Sequence, residues 1–121
     1  MYSFEFGDYE EGYSHFAQNA VISDINYPLG ITETLEQNKQ STDKNFIKAY
    51  EIESIDMRGY PDYLDYDLGD ANAVLSWWTF RLKRKKDGKN IILPVHIQDS
   101  FNDEGKINRR SLYYSSKLLE N

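Results

Sequence analysis

The stretch ANAVLSWWTFRLKRKKDGKNIILPVHIQDSFNDEGKINRRSLYYS, residues 71–115, decides the fold. Its runs Ala71 to Arg84, Asn90 to Asn102 and Ile107 to Ser115 are rich in β-branched and aromatic residues and predict strands. Between them lie Lys86-Asp87-Gly88-Lys89 and Asp103-Glu104-Gly105-Lys106. Asp-Gly and Glu-Gly supply the positive φ that tight hairpin turns require, so the three runs form an antiparallel meander.

Upstream of the meander the pattern changes. Tyr9, Tyr13 and Phe16 recur at helical spacing and predict a helix from Asp8 to Ala17, with Asp8 as its N-cap. Ala20 to Tyr27 reads as a strand that Pro28, Leu29 and Gly30 terminate. Thr32 opens a second helix, with Leu35 on its buried side and Glu33, Glu36, Gln37, Lys39 and Gln40 facing water, as far as Ser41-Thr42-Asp43. From Phe46 to Met57 an imperfect alternation of Phe46, Tyr50, Ile52 and Ile55 predicts another strand. Gly59 to Asp70, with Pro61 and four aspartates, reads as a loop or a bulged edge. Helices early and a meander late imply an α+β fold, in which helices pack on one face of a curved sheet.

At 121 residues the chain can bury one core, so residues 1–121 are expected to form one domain. Hydrophobic residues at 40% and charged residues at 28% exclude disordered and collagen-like classes. Ten Tyr, six Phe and two Trp are an unusual load. Such side chains suit a half-wet cavity or an interface, and equally a tyrosine-rich sheet surface.

Charge and composition narrow the partners. A net charge of −6 repels a phosphate backbone, and the basic run Arg81 to Lys86 enters a hairpin turn as an exposed strand end. Neither nucleic acid nor a membrane surface is expected as a partner. There is no cysteine, hence no disulfide or thiolate chemistry. No run approaches the ~20 apolar residues of a membrane span and no signal pattern opens the chain, so a cytoplasmic protein is expected. His15 and His96 lack metal-ligand spacing, and the acidic residues from Asp62 to Asp70 miss the calcium-loop register. No metal or other cofactor is expected. His15 reads as a surface residue, while His96 alternates against Ile97 and faces the outer, dimer-facing side of the sheet.

Three segments carry a family resemblance. Gly7-Asp8 through Phe16-Ala17-Gln18-Asn19-Ala20-Val21-Ile22-Ser23-Asp24 resembles the helix-to-strand passage of ketosteroid isomerase and SnoaL-like proteins, in which an apolar-Ala-x-(Asp/Asn)-Ala element precedes a carboxylate on the strand. Ser100-Phe101-Asn102-Asp103-Glu104-Gly105-Lys106-Ile107 is similar to their penultimate hairpin, and Trp77-Trp78 through Asp87-Gly88-Lys89 to their long strand and its turn. The order matches across most of the chain, although the first helix is shorter than members of this nuclear transport factor-like superfamily usually carry. The resemblance implies a cone-shaped, curved, mixed or antiparallel sheet with N-terminal helices on its concave face, as in cystatin-like folds.

The resemblance also implies that Asp24 stands where ketosteroid isomerase has its proton-abstracting aspartate. Read from the residues alone, Asp24 lies among apolar strand neighbours, where a carboxylate serves either as a base or as a cap for nearby backbone groups. Asp99 shares a strand face with Val95, Ile97 and Phe101, and an apolar face demands a partner for it. If that face is the concave one, Asp24 and Asp99 share the cavity and one of the two stays protonated as a hydrogen-bond donor, a logic borrowed from ketosteroid isomerase itself. Tyr9, Tyr13, Phe16, Tyr27, Trp78, Val95, Ile97 and Phe101 are the expected cavity wall.

Three functions fit these expectations. The first is a domain that binds a small apolar or aromatic molecule and dimerises with a second copy through its outer sheet face. An isomerase, cyclase or dehydratase using Asp24 as general base is the second, and a module that binds protein through its sheet is the third.

Overall fold

The computed structural model describes residues 9–28, 30–65 and 72–120. The meander forms as expected: β5 (Asn72–Arg84), β6 (Asn90–Phe101) and β7 (Ile107–Tyr113) pair antiparallel in order. Gly88 and Gly105, at φ 72° and 76°, turn the two hairpins. Strict alternation governs β6, where Ile91, Leu93, Val95, Ile97 and Asp99 are buried on one face.

The N-terminal elements wrap around this meander. Helix α1 (Tyr9–Ser14) ends three residues earlier than the periodicity predicts, and Phe16 and Ala17 belong to β1 (Phe16–Asp24). The cause is backbone pairing. Ile107 N–H donates to the His15 carbonyl across 2.8 Å, and β1 runs parallel to β7 with Phe16 opposite Ile107 and Asp24 opposite Leu112. A ladder bond to the last strand outweighs a further turn of weak helix.

Leu35–Thr42 forms α2, preceded by the two-residue strand β2 (Glu33–Thr34) on the free side of β1. Thr34 rather than Thr32 caps it: the Thr34 hydroxyl accepts from Gln37 N–H, and the Gln37 side chain accepts from Thr34 N–H. A π-helical turn, Asp43–Ile47, extends the helix, so Phe46 lies outside the strand expected to hold it. β3 (Tyr50–Met57) starts later, at Tyr50.

β3 and the short β4 (Asp62–Asp65) both pair with β5, giving a seven-stranded mixed sheet in the order β2-β1-β7-β6-β5-β3 with β4 beside β5. Pro61 sits just ahead of β4, at a sheet edge where its missing N–H costs nothing. The segment expected to be a loop or bulged edge is therefore an edge strand in part, and residues 66–70 lie outside the described residues. A last short helix, α3 (Lys117–Glu120), follows β7.

Two apolar clusters occupy the concave face. One gathers Ile55, Trp78, Phe80, Leu82, Ile91, Leu93, Val95 and Ile97 from β3, β5 and β6. The other gathers Phe16, Ala20, Ile22, Leu35 and Ile107 around β1 and α2. Leu112 packs against both. Among the described residues no helix is long and apolar enough to cross a membrane.

Candidate functional site

The two clusters do not meet completely, and between them lies a cavity of about 290 Å³. Its floor is the sheet: Ile55, Phe80, Leu93, Val95 and Leu112. Tyr9 and Tyr13 of α1, with Asn38, Ser41 and Thr42 of α2 and Phe46 of the π-helical turn, make its roof. Leu119 closes one side, held there because its carbonyl accepts from Arg84 Nη1 at 2.9 Å and from the Tyr50 hydroxyl at 3.2 Å.

Asp24 also reaches this cavity, at the C-terminal end of β1 and only 9% exposed. Its Oδ1 accepts from the Asn26 backbone N–H at 2.8 Å and from Asn26 Nδ2 at 3.0 Å. Its Oδ2 accepts from the Tyr114 hydroxyl at 2.7 Å. A carboxylate offers about four lone-pair sites, so among the described residues three are filled and one remains. Burial, then the bond to Asp24, raises the Tyr114 phenol above its ordinary value, so it stays a neutral donor.

Tyr27 repeats the arrangement on the adjacent wall. Its hydroxyl donates in a short bond to Glu33 Oε1, which also accepts from Asn38 Nδ2 at 3.2 Å. Burial, then Glu33, raises this phenol as well. Tyr13 is raised by burial, and the Lys39 ammonium stands 5.3 Å from its ring centroid.

Asp99 has a different environment. It is 8% exposed on the same sheet face, and Arg110 opposite it on β7 donates through Nε to Oδ1 at 2.7 Å and through Nη2 to Oδ2 at 2.8 Å. Such a bidentate pair uses both oxygens of Asp99 as acceptors, so of the two aspartates expected to share the cavity, Asp99 is not the one placed to donate into it. Asp99 is not among the lining residues; Arg110 is, with its guanidinium 4.7 Å from the Phe16 ring centroid.

The expected wall is therefore assembled in part. Tyr9, Tyr13, Phe16, Tyr27 and Val95 line the cavity with Asp24. Trp78, Ile97 and Phe101 do not: Trp78 and Ile97 fill the larger cluster, and Phe101 packs against the smaller one. Trp78 turns its indole N–H to the Ser76 hydroxyl at 2.8 Å. Tyr114 and Arg110 are not in the expected wall, though alternation along β7 and the residue after it puts Arg110, Leu112 and Tyr114 on one side. Asn38, Ser41 and Thr42 of α2 were not named as site residues either; Ser41 and Thr42 were read only as the end of that helix.

On the outer face Trp77, His96 and Tyr113 stand directly opposite one another on β5, β6 and β7. Trp77 stacks on His96 at 4.9 Å, and the His96 and Tyr113 rings lie 5.7 Å apart. Trp77 and Tyr113 remain 39% and 38% exposed. His96 Nδ1–H donates to the Ser76 carbonyl at 2.9 Å, so its Nε2 accepts from the Gln98 amide at 3.2 Å. His15 is at the surface, paired with Glu11 at 3.1 Å. Among the described residues no group of three or more His, Asp or Glu is placed to hold a metal ion.

No family profile matches the sequence. No curated protein matches it either. Solved structures do. A Bacillus subtilis protein provisionally assigned as an isomerase superposes with a TM-score of 0.76 at 18% identity, covering 99% of this chain and 84% of that one. A provisionally assigned SnoaL-like polyketide cyclase from Mesorhizobium loti gives 0.66 at 16% identity, over 93% and 90% of the two chains. An NTF2-like protein of unknown function from Exiguobacterium gives 0.66 at 16% identity, over 89% and 83%.

Proposed function

We propose that this chain, which has the curved-sheet fold of nuclear transport factor-like and SnoaL-like proteins, binds a small, largely apolar molecule in the cavity and anchors it through Asp24. The observation that carries the reading is a nine-tenths-buried carboxylate with one unfilled lone-pair site, set in an otherwise mostly apolar and aromatic wall. At roughly 30 Å³ per water-sized unit, 290 Å³ holds a ligand of about ten non-hydrogen atoms. The test is a fragment screen by ligand-observed NMR on the whole chain and on Leu93→Trp, which fills the floor. Hits that compete with one another and vanish in the filled variant support the reading; hits that persist in it would remove the cavity from consideration.

Proton abstraction by Asp24 is a second reading, and the same open lone pair favours it. It needs a donor for the oxyanion that develops. The Tyr114 and Tyr27 hydroxyls already donate to carboxylates, the Ser41 hydroxyl donates to the Asn38 carbonyl and Arg110 holds Asp99, so that donor would come from Asn45 or the second N–H of Asn38. Binding without turnover therefore ranks first.

The outer aromatic row supports a further part of the reading, a homodimer through that face. Trp77, Tyr113 and Ile92, at 39%, 38% and 57% exposure, leave apolar surface that a second copy would cover.

A further inference from the structure

We propose that the ligand is a cationic amine on a small aromatic or aliphatic body, with its ammonium N–H donating to Asp24; this rests on the cavity being a binding site. The argument is an inventory of charge. Among the described residues every donor to Asp24 is neutral: the Asn26 backbone, the Asn26 amide and the Tyr114 phenol. Glu33 likewise accepts from a phenol and an amide. Among the described residues neither carboxylate forms an ion pair with Lys, Arg or His. Residues 1–8, 29, 66–71 and 121 contain no lysine, arginine or histidine that could supply one.

The one guanidinium in the cavity wall, Arg110, is held by Asp99 through two hydrogen bonds. Asp24 and Asp99 thus set two carboxylates against one guanidinium, and the excess negative charge sits on Asp24, facing the hollow. A buried charge without a counter-ion is costly. A ligand ammonium would remove that cost and use the remaining lone pair in one contact.

The wall suits the same chemistry. Tyr9, Tyr13, Phe16, Tyr27, Phe46 and Tyr114 present aromatic rings, whose faces attract cations. Two of those rings already have one: Lys39 at Tyr13 and Arg110 at Phe16. An anionic ligand, by contrast, would meet Asp24, and could use Arg110 only by competing with Asp99.

The experiment is calorimetric titration of the whole chain with three probes of matched size: 2-phenylethylamine, 2-phenylethanol and phenylacetate. A charge-assisted bond to a buried carboxylate is expected to favour the amine over the alcohol by at least about tenfold, with phenylacetate weakest. Asp24→Asn should abolish the preference while the alcohol still binds. In the unaltered chain, the Asn26 amide resonance should move with the amine and not with the acid, a readout that stands if the variant does not fold. Equal binding of alcohol and amine, or a preference for the acid, overturns the amine class and leaves the cavity reading standing. A preference that survives in a folded Asp24→Asn removes the role of Asp24. No binding by any probe at millimolar concentration overturns the amine proposal, and fragment hits in the cavity would show that the broader reading survives it.

Discussion

The Tyr114 hydroxyl donates to Asp24 Oδ2 across 2.7 Å, joining two residues 90 positions apart at the ends of the parallel pair β1 and β7. Removing the donor leaves a buried charged acceptor one bond short. Tyr114→Phe is expected to cost about 1–3 kcal/mol in chemical denaturation, with the slope against denaturant unchanged. A cost near zero would mean that water replaces the phenol and that this end of the cavity is wet.

Alkaline pH should weaken the fold. Tyr13, Tyr27 and Tyr114 are all raised from 10.0, chiefly because burial disfavours the phenolate, with donation to Glu33 and Asp24 adding for the latter two. In the unfolded chain they ionise near 10, while folded they keep their protons. The stability they contribute is therefore complete below pH 10 and is lost as pH rises beyond it, until the folded phenols ionise in turn. Melting temperatures between pH 8 and 11.5 should fall above pH 10, and the fall should be shallower in the double variant Tyr27→Phe, Tyr114→Phe.

The Asp99–Arg110 pair predicts strong non-additivity. Arg110→Met leaves a buried carboxylate unpaired and is expected to cost about 3–5 kcal/mol. Adding Asp99→Leu removes the orphaned charge, so the double variant should recover most of that loss. Equilibrium denaturation of the two singles and the double closes the cycle; simple additivity would show that the pair is not desolvated.

Trp77→Glu puts a charge at one end of the outer aromatic row without touching the concave face. If the row joins two copies, sedimentation velocity should read a dimer for the unaltered chain and a monomer for the variant, with the melting curve of the variant sensitive to neither salt nor concentration. A chain already monomeric at 100 μM would discard the dimer.

What the sequence disclosed and withheld follows from range. The β5–β6–β7 meander was legible because each turn is encoded locally by Asp-Gly or Glu-Gly and each strand by its own alternation. That regularity also put Asp99 on the buried face correctly. The position of Arg110 opposite it was not legible, because register across a hairpin with an irregularity between Ser100 and Phe101 cannot be counted from the turn alone. The same limit explains β1: Phe16 fits a helical stripe with Tyr9 and Tyr13, and only the distant Ile107 draws it into the sheet. Tyr114 escaped for the complementary reason, since its partner lies at the other end of the chain.

The parallel pairing of β1 with β7 has a consequence for how the chain comes into being. β1 leaves the ribosome well before β7, so β3 to β6 are synthesised before β1 has that partner. Until then the apolar side of β1 is bare and Asp24 has no Tyr114. The hollow cannot precede the emergence of β7, and its assembly should be a slow, late event in the folding of this sheet.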